Sequence, residues 1–417
     1  MITTERLFSH SSIKEYENDG DDQDRYYLPW RVAAEVAARQ KMGQKVSIIL
    51  PKHSEFEEYL ELLESELLDG GRINRLYTPD NSYLMDEDIK TNLLSELLDL
   101  THQKTILHPY KATDEFYSWA KVLQSLKGVR VYADRANPND RFWWGHKGAY
   151  HRWIDDLSTP SFAENFDLTV PKGFIAKDKA EVFRAISIIG KKVVLKPILG
   201  AGGFRIGFCE TKEDVDCYEW PIDALAGDPM PVAVQEKLDI EKDSLGERVF
   251  SLQFADGRVY GLLTRQKVSN TEWCGNIIPA GVSESFELSC QNQADQLLSC
   301  IKPTGDGGID FADVRGIPVI LEVNGGRPTG AHIPKRFKEA FAPNSAHFVF
   351  EKVDINGDHA FDVWDKLSSN KLNLSADQTG VFPLVWLYKS WGMLGSFAHT
   401  LEESATKLRR ARDIIGV

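Results

Sequence analysis

A chain of 417 residues with 42% apolar composition is long enough for two or three domains with substantial cores, which excludes a small stapled scaffold. The formal charge of -13 argues against nonspecific binding to nucleic acid. Five cysteines, Cys209, Cys217, Cys274, Cys290 and Cys300, form no C-x-x-C pair, which fits a reducing cytoplasm better than a disulfide framework. The opening "MITTERLFSHSSIKEYENDGDDQDRYY" is polar and acidic and lacks the apolar core of a signal peptide, and no apolar run approaches a membrane span. The expectation is a cytoplasmic protein with neither membrane nor nucleic acid as partner.

In chain order, "WRVAAEVAARQKMGQKVSIILP" predicts a helix, a stop at Gly43 and a buried strand from Val46 to Leu50. Amphipathic and short apolar segments go on alternating through "FEEYLELLESELL", "NLLSELLDL", "TILHPY" and "SWAKVLQSLKGVRVYAD", the pattern of an α/β domain with a parallel sheet over residues 1–135. "VPKGFIAKDKAEVFRAISIIGKKVVLKPILGAGGFRIGF" then predicts strand, helix, strand, glycine loop and strand, the start of a second domain placed at 136–343. Residues 344–417 read as a short α/β segment that closes with two strands and a helix, the helix carrying Lys407, Arg409, Arg410 and Arg412.

Two stretches carry chemistry. "GIDFADVRGIPVILEVNGGRPTG" predicts a hairpin that turns at "VRG" and brings Asp310 close to Glu322. Like charges that close repel, and two carboxylates with the Asn324 carbonyl form an all-oxygen set suited to a hard ion such as Mg2+. A solvated hairpin with acidic ends is the competing reading. "VVLKPILGAGGFRIGF" ends a β-branched run with Lys196 and follows it with Gly200, Gly202 and Gly203, whose backbone could close over phosphate oxygens. The lysine precedes the glycines and a strand follows them, so this is neither a Walker loop nor a Rossmann fingerprint.

Further along, "PVAVQEKLDIEKDSLGERVFSLQF" supplies a strand, a short polar connection and Glu247, and "YGLLTRQKV" places Arg265 and Lys267 on one strand face. The order lysine, glycine loop, "VQEKL", basic strand, "GID" and "LEVNGGR" resembles the ATP-grasp superfamily over roughly 138–336, and the whole chain looks most like peptide ligases of the pheganomycin-biosynthesis type. The resemblance implies an N-terminal pre-ATP-grasp domain, an ATP-grasp domain and a C-terminal α/β segment. It implies ATP and Mg2+ as cofactors, with Lys147 and Lys196 on the phosphates and Gly200, Gly202 and Gly203 as a lid. Adenine would lie along Gln235, Glu236, Lys237 and Leu238, with Glu247 at the ribose and Lys267 also on the nucleotide. Asp310, Glu322 and Asn324 would hold the metal, while Arg327 and Arg265 would serve the transferring group. Family members commonly have one residue between that asparagine and arginine, whereas Gly325 and Gly326 intervene here.

The activity so implied is ATP-dependent activation of a carboxylate, an amino acid or peptide, as an acyl phosphate that an amine converts to an amide in specialised-metabolite biosynthesis. The alternative acceptor is the phosphopantetheine thiol of an acyl carrier protein. Each residue also has a plain reading. Lys147 in "WWGHKGAYHRW" could be a surface lysine, Glu247 a turn carboxylate, and Arg265 with Lys267 a solvated strand face. No histidine is assigned a chemical role, His146, His151 and His332 included.

Overall fold

The structure, a computed structural model, describes residues 5–9, 24–51, 54–78, 105–109, 121, 125, 131–133, 147–198, 205–222, 229–269, 272–325, 330–354, 358–386 and 391–417. Its mixed α/β chain divides into two compact units, residues 1–138 with 275–279 and 330–417, and residues 139–274 with 280–329.

In the first unit, β1 (Glu5–Ser9), α1 (Asp24–Lys41), β2 (Lys45–Pro51), α2 (Ser54–Glu66), β3 (Asn74–Thr78), β4 (Thr105–Pro109) and β5 (Val131–Ala133) build a sheet of order β3-β2-β1-β4-β5. Every pairing in it is parallel, as the helix-strand alternation predicts. Gly43 stops α1 in the left-handed conformation, φ 79°. The expected helix at "NLLSELLDL" and most of "SWAKVLQSLK" lie outside the described residues.

The second unit opens with β6 (Arg152–Trp153), α3 (Phe162–Asn165), β7 (Gly173–Ala176), α4 (Lys179–Ile189), β8 (Val193–Pro197), β9 (Gly207–Cys209), α5 (Lys212–Cys217) and β10 (Val232–Glu236). Its first sheet has the order β6-β7-β10-β8-β9 and covers α4, whose Val182, Ala185 and Ile189 pack on Phe174, Leu195 and Val234. Asp178 caps α4 by accepting from the Glu181 N–H, and Gly190 ends it at φ 70°. The polar connection is itself a small hairpin of β11 (Lys242–Asp243) and β12 (Gly246–Glu247). The chain then runs through β13 (Val249–Ala255), β14 (Arg258–Ser269), β15 (Glu272–Ile278), α6 (Glu284–Ile301), β16 (Asp306–Val314) and β17 (Ile317–Asn324). Strands β17-β16-β13-β14 are neighbours in that order. Phe250, Phe254, Ile309, Phe311 and Ile320 from them bury against Phe286, Ala294 and Leu297 of α6.

β15 carries the chain into the first unit, where its residues 275–278 pair with β18 (His347–Asp354). α7 (His332–Phe341), α8 (Ala360–Ser369), β19 (Gly380–Trp386), β20 (Trp391–Ala398) and α9 (Leu401–Ile415) complete that unit. Residues 344–417, expected as a segment of their own, pack together with the N-terminal layer. α1 lies on α7 and α2 on α8. The Tyr59 hydroxyl donates to the Leu384 carbonyl at 2.6 Å, and Arg336 pairs with Glu35 at 2.8 Å. Contacts this far apart in sequence leave no local signature. No helix among the described residues is long and apolar enough to cross a membrane.

Candidate active site

The hairpin of β16 and β17 positions two acids. It turns through Arg315 and Gly316, both left-handed at φ 56° and 82°, a two-residue connection whose twist matches the strands it joins. The antiparallel register sets Asp310 directly opposite Glu322. Asp310 Oδ1 accepts from Gln266 Nε2 at 2.8 Å, and its Oδ2 from Asn324 Nδ2 at 3.2 Å. The same amide nitrogen lies 3.3 Å from Glu322 Oε1, so Asn324 bridges the two carboxylates.

Two lysines converge on the same strand. Lys147 stands in a turn at 147–150, its N–H donating to Ile198 O at 2.9 Å, and its Nζ lies 3.6 Å from Glu322 Oε2. Lys196, on β8, reaches the carbonyl of Leu321 at 3.5 Å. Both are buried, with 3% and 8% of their surface exposed, so the plain reading of Lys147 as a surface lysine does not hold. A lysine loses so much solvation on burial that it needs counter-charge. Burial would raise Glu322, but Lys147 and Lys196 outweigh it and hold this carboxyl below the usual range. Asp310 goes the other way, raised first by burial and then by the charge of Glu322. Burial lowers Lys196, and Glu322 opposes that shift.

A third layer escaped the sequence reading. Tyr150 and His151 follow Lys147 in the turn, and Gln235 Nε2 donates to the Tyr150 hydroxyl at 3.1 Å and to His151 Nε2 at 3.0 Å. Burial, then the Lys196 charge, pushes His151 down to about 3, so its ring is neutral and can accept. The usable signal was spacing, since a tyrosine three residues after a site lysine shares its turn. Gln266, and Ser251, which lies opposite Asp310 across β13 and β16, carried no signal at all.

The other expected residues are distributed unequally. Gln235 points inward, 2% exposed, toward Tyr150 rather than to an open cleft. Glu236 accepts from the Lys172 N–H at 3.0 Å and pairs with Lys191 at 3.2 Å. Lys237 sits over the Phe208 ring at 5.4 Å, and Leu238 is half-buried just beyond β10. Glu247 pairs with Lys242 at 3.1 Å, and Lys267 is half-buried on β14 with its carbonyl accepting from Cys274 Sγ at 3.2 Å. Arg265 calls for a correction. Its guanidinium, 1% exposed, makes two 2.7 Å bonds to Asp243 and one of 3.0 Å to Gly246 O, which commits it to the small hairpin instead of a transferring group. Gly200, Gly202, Gly203, Gly326 and Arg327 lie outside the described residues.

The acid pair suits a hard cation. Two half-buried carboxylates face each other, and Asp310 is raised by burial and then by the charge of Glu322, a repulsion that a divalent ion relieves. Rotating the Asn324 amide would present its oxygen to the same point. Among the described residues no group of three or more His, Cys, Asp and Glu side chains could hold a metal, and Mg2+ commonly completes its oxygen shell with water and phosphate oxygens.

Comparison with known proteins places this α/β architecture. Residues 156–331 match the family model described as "ATP-grasp domain", so the chain carries an ATP-grasp domain there. No curated protein matches the sequence. Among solved structures, the chain is similar to a biotin carboxylase–β,γ-ATP complex from Campylobacter jejuni, at TM-score 0.63 and 12% identity over 99% of this chain and 91% of that one. It is similar to the biotin carboxylase domain of Hydrogenobacter thermophilus 2-oxoglutarate carboxylase with MgADP, ADP and bicarbonate, at TM-score 0.62 and 13% identity over 99% and 90%. It is also similar to N5-carboxyaminoimidazole synthase from Aspergillus clavatus with ADP and its aminoimidazole ribonucleotide, at TM-score 0.61 and 9% identity over 99% of both chains. At these identities the likeness is one of fold.

Proposed function

We propose that this protein is a ligase that uses ATP and Mg2+ to activate a carboxylate, an amino acid or peptide, as an acyl phosphate and joins it to an amine, forming an amide in the biosynthesis of a specialised metabolite. The observation that carries the reading is the convergence of Lys147 and Lys196 on the strand of Glu322, opposite Asp310, in a chain with an ATP-grasp domain. A carboxylate in water is a poor electrophile. Transfer of the γ-phosphoryl group turns one of its oxygens into a leaving group, and ADP departs. The amine then attacks the carbonyl carbon, a C–N bond forms, the C–O bond to phosphate breaks, and the amine loses a proton.

Lys147 and Lys196 bring two fixed positive charges to the region where negative charge gathers on the transferring phosphoryl group, and burial strengthens each beyond its effect in water. Asp310, Glu322 and Asn324 would hold Mg2+, and the ion would supply charge neutralisation at the phosphoryl oxygens. The scheme needs no protein nucleophile. Burial pushes the thiols of Cys209 and Cys290 up to about 11 and about 12, against such a role.

Capture by a carrier-protein thiol is the second reading, with the basic face of α9 as the docking element. Two of its four cations are already engaged. Lys407 bonds Thr379 Oγ1 at 2.9 Å and pairs with Glu403 at 2.8 Å, and Arg412 pairs with Glu351 at 3.4 Å. That favours the amine. The test incubates the protein with MgATP and a panel of amino acids, dipeptides and an acyl carrier protein. ADP release that depends on one carboxylate and one amine, with a product lighter than their sum by one water, is expected. Acyl transfer to the carrier alone selects the thiol, and no ADP with any combination removes both readings.

A further inference from the structure

Tyr150 is buried, 2% exposed, in the apolar cluster beneath β13 and β16, yet both hydrogen-bonding capacities of its hydroxyl are used, and by different sheets. It accepts from Gln235 Nε2 on β10 at 3.1 Å and donates to the carbonyl of Leu321 on β17. That carbonyl also takes the Lys196 ammonium, at 3.5 Å, and the next residue along the strand is Glu322. Three residues before Tyr150, Lys147 reaches Glu322 from the same turn. The turn has little freedom to shift. A Cβ on Gly148 would meet Ile175 Cδ1 at 1.9 Å, and one on Gly173 would meet the His151 ring at 2.7 Å, so this backbone is pressed onto β7.

We propose that Tyr150 is a positioning residue: by tying Gln235 of one sheet to the Leu321 carbonyl of the other, it sets where the Lys196 ammonium and the Glu322 carboxylate stand relative to one another. A carbonyl has two lone pairs, and the hydroxyl occupies one of them, so Lys196 shares an oriented acceptor instead of pulling a loose one toward itself. Phenylalanine fills the same space. Tyr150→Phe therefore leaves the apolar packing intact and removes the tie, with Leu321 O left to Lys196 and Gln235 left to His151.

The kinetic arm of the test rests on the ligase reading above, and the equilibrium arm does not. In Tyr150→Phe, kcat should fall about 10- to 100-fold while KM for ATP and affinity for MgADP stay within about threefold, because displaced charges penalise the transition state more than the bound nucleotide. Wild-type kcat, or a loss carried by KM alone, overturns the proposal. In a double-mutant cycle of Tyr150→Phe with Lys196→Met, followed by denaturant unfolding, the unfolding constants should depart from multiplicativity by about threefold or more. Multiplicative effects also overturn it. If wild-type protein neither binds MgADP nor consumes ATP, the ligase reading fails and the cycle alone decides. Should Tyr150→Phe not fold, Gln235→Met removes the same tie from the other side, and the same split and the same cycle with Lys196→Met apply to it.

Discussion

Glu322 keeps its charge in a half-buried setting because Lys147 lies 3.6 Å away and Lys196 adds a second positive charge, whereas Asp310 across the hairpin is raised by burial and then by the charge of Glu322. Glu322→Gln keeps the shape and removes the charge. It should lower turnover by at least about 100-fold, roughly 2.7 kcal/mol of transition-state stabilisation, while the unfolding midpoint moves by only a few degrees. An ADP-coupled assay read beside calorimetry checks both numbers, and wild-type turnover would defeat the metal assignment. The charged residues of this cluster were legible because acids and lysines at strand ends need a reason to be there. Tyr150 and Gln266 were not, since an aromatic in a loop and an amide in a strand are ordinary until something buried is found against them.

At the scale of elements, the hairpin at 242–247 shows how one side chain can select a structure that its own sequence does not announce. "KDSLGE" has no apolar alternation, so it reads as a connection. Arg265 holds it closed through Asp243 and Gly246, and Arg248 adds a 3.3 Å contact to Asp243 as well as a 2.7 Å bond to Asp313. Hydrogen bonds from Arg265 hold the Asp243 carboxyl well below the usual carboxylate range. A depressed carboxyl stabilises the fold fully above its unfolded value of about 3.9, and that stabilisation is lost as pH falls through the lower folded value. Asp243→Asn should therefore flatten the acid limb of the stability profile below about pH 4. It should also cost about 2 kcal/mol at neutral pH, since Arg265 loses a counter-charge that is itself partly solvated. Urea unfolding across a pH series reads both effects, and an unchanged acid limb would show that the clamp does not contribute.

For the molecule as a whole, a ligand that binds the folded chain and not the unfolded one must raise its melting temperature. MgADP at about 100 times its dissociation constant should add roughly 2.7 kcal/mol, a shift of about 5 °C for a unit of this size. Chelating the metal should shrink the shift, and in Glu322→Gln the difference between ADP and MgADP should vanish. A thermal scan with and without chelator checks this, and equal shifts in both proteins would separate nucleotide binding from the acid pair. The two units themselves were only half visible in the sequence. Residues 1–138 and 330–417 fold together through α1 on α7 and α2 on α8, contacts separated by hundreds of residues.

Periodicity determined much by itself. Alternation at period two marked β17, short apolar runs marked β7, β8 and β10, helical spacing marked α1, α4 and α9, and Gly43 and "VRG" marked a stop and a turn, because backbone sterics and burial act within a few residues. The pairing of Asp310 with Glu322 followed from the same local rule once the turn was placed. What only the tertiary structure decided is where side chains go after they leave their strand. Arg265 and Lys267 share a strand face by alternation, but whether a guanidinium there meets a substrate or Asp243 depends on a hairpin packed over it. Tyr150 likewise gains its place only when β10 and β17 come within one phenol's reach. A strand's pattern states which residues face alike, and the opposing surface, assembled from distant chain, states what they face.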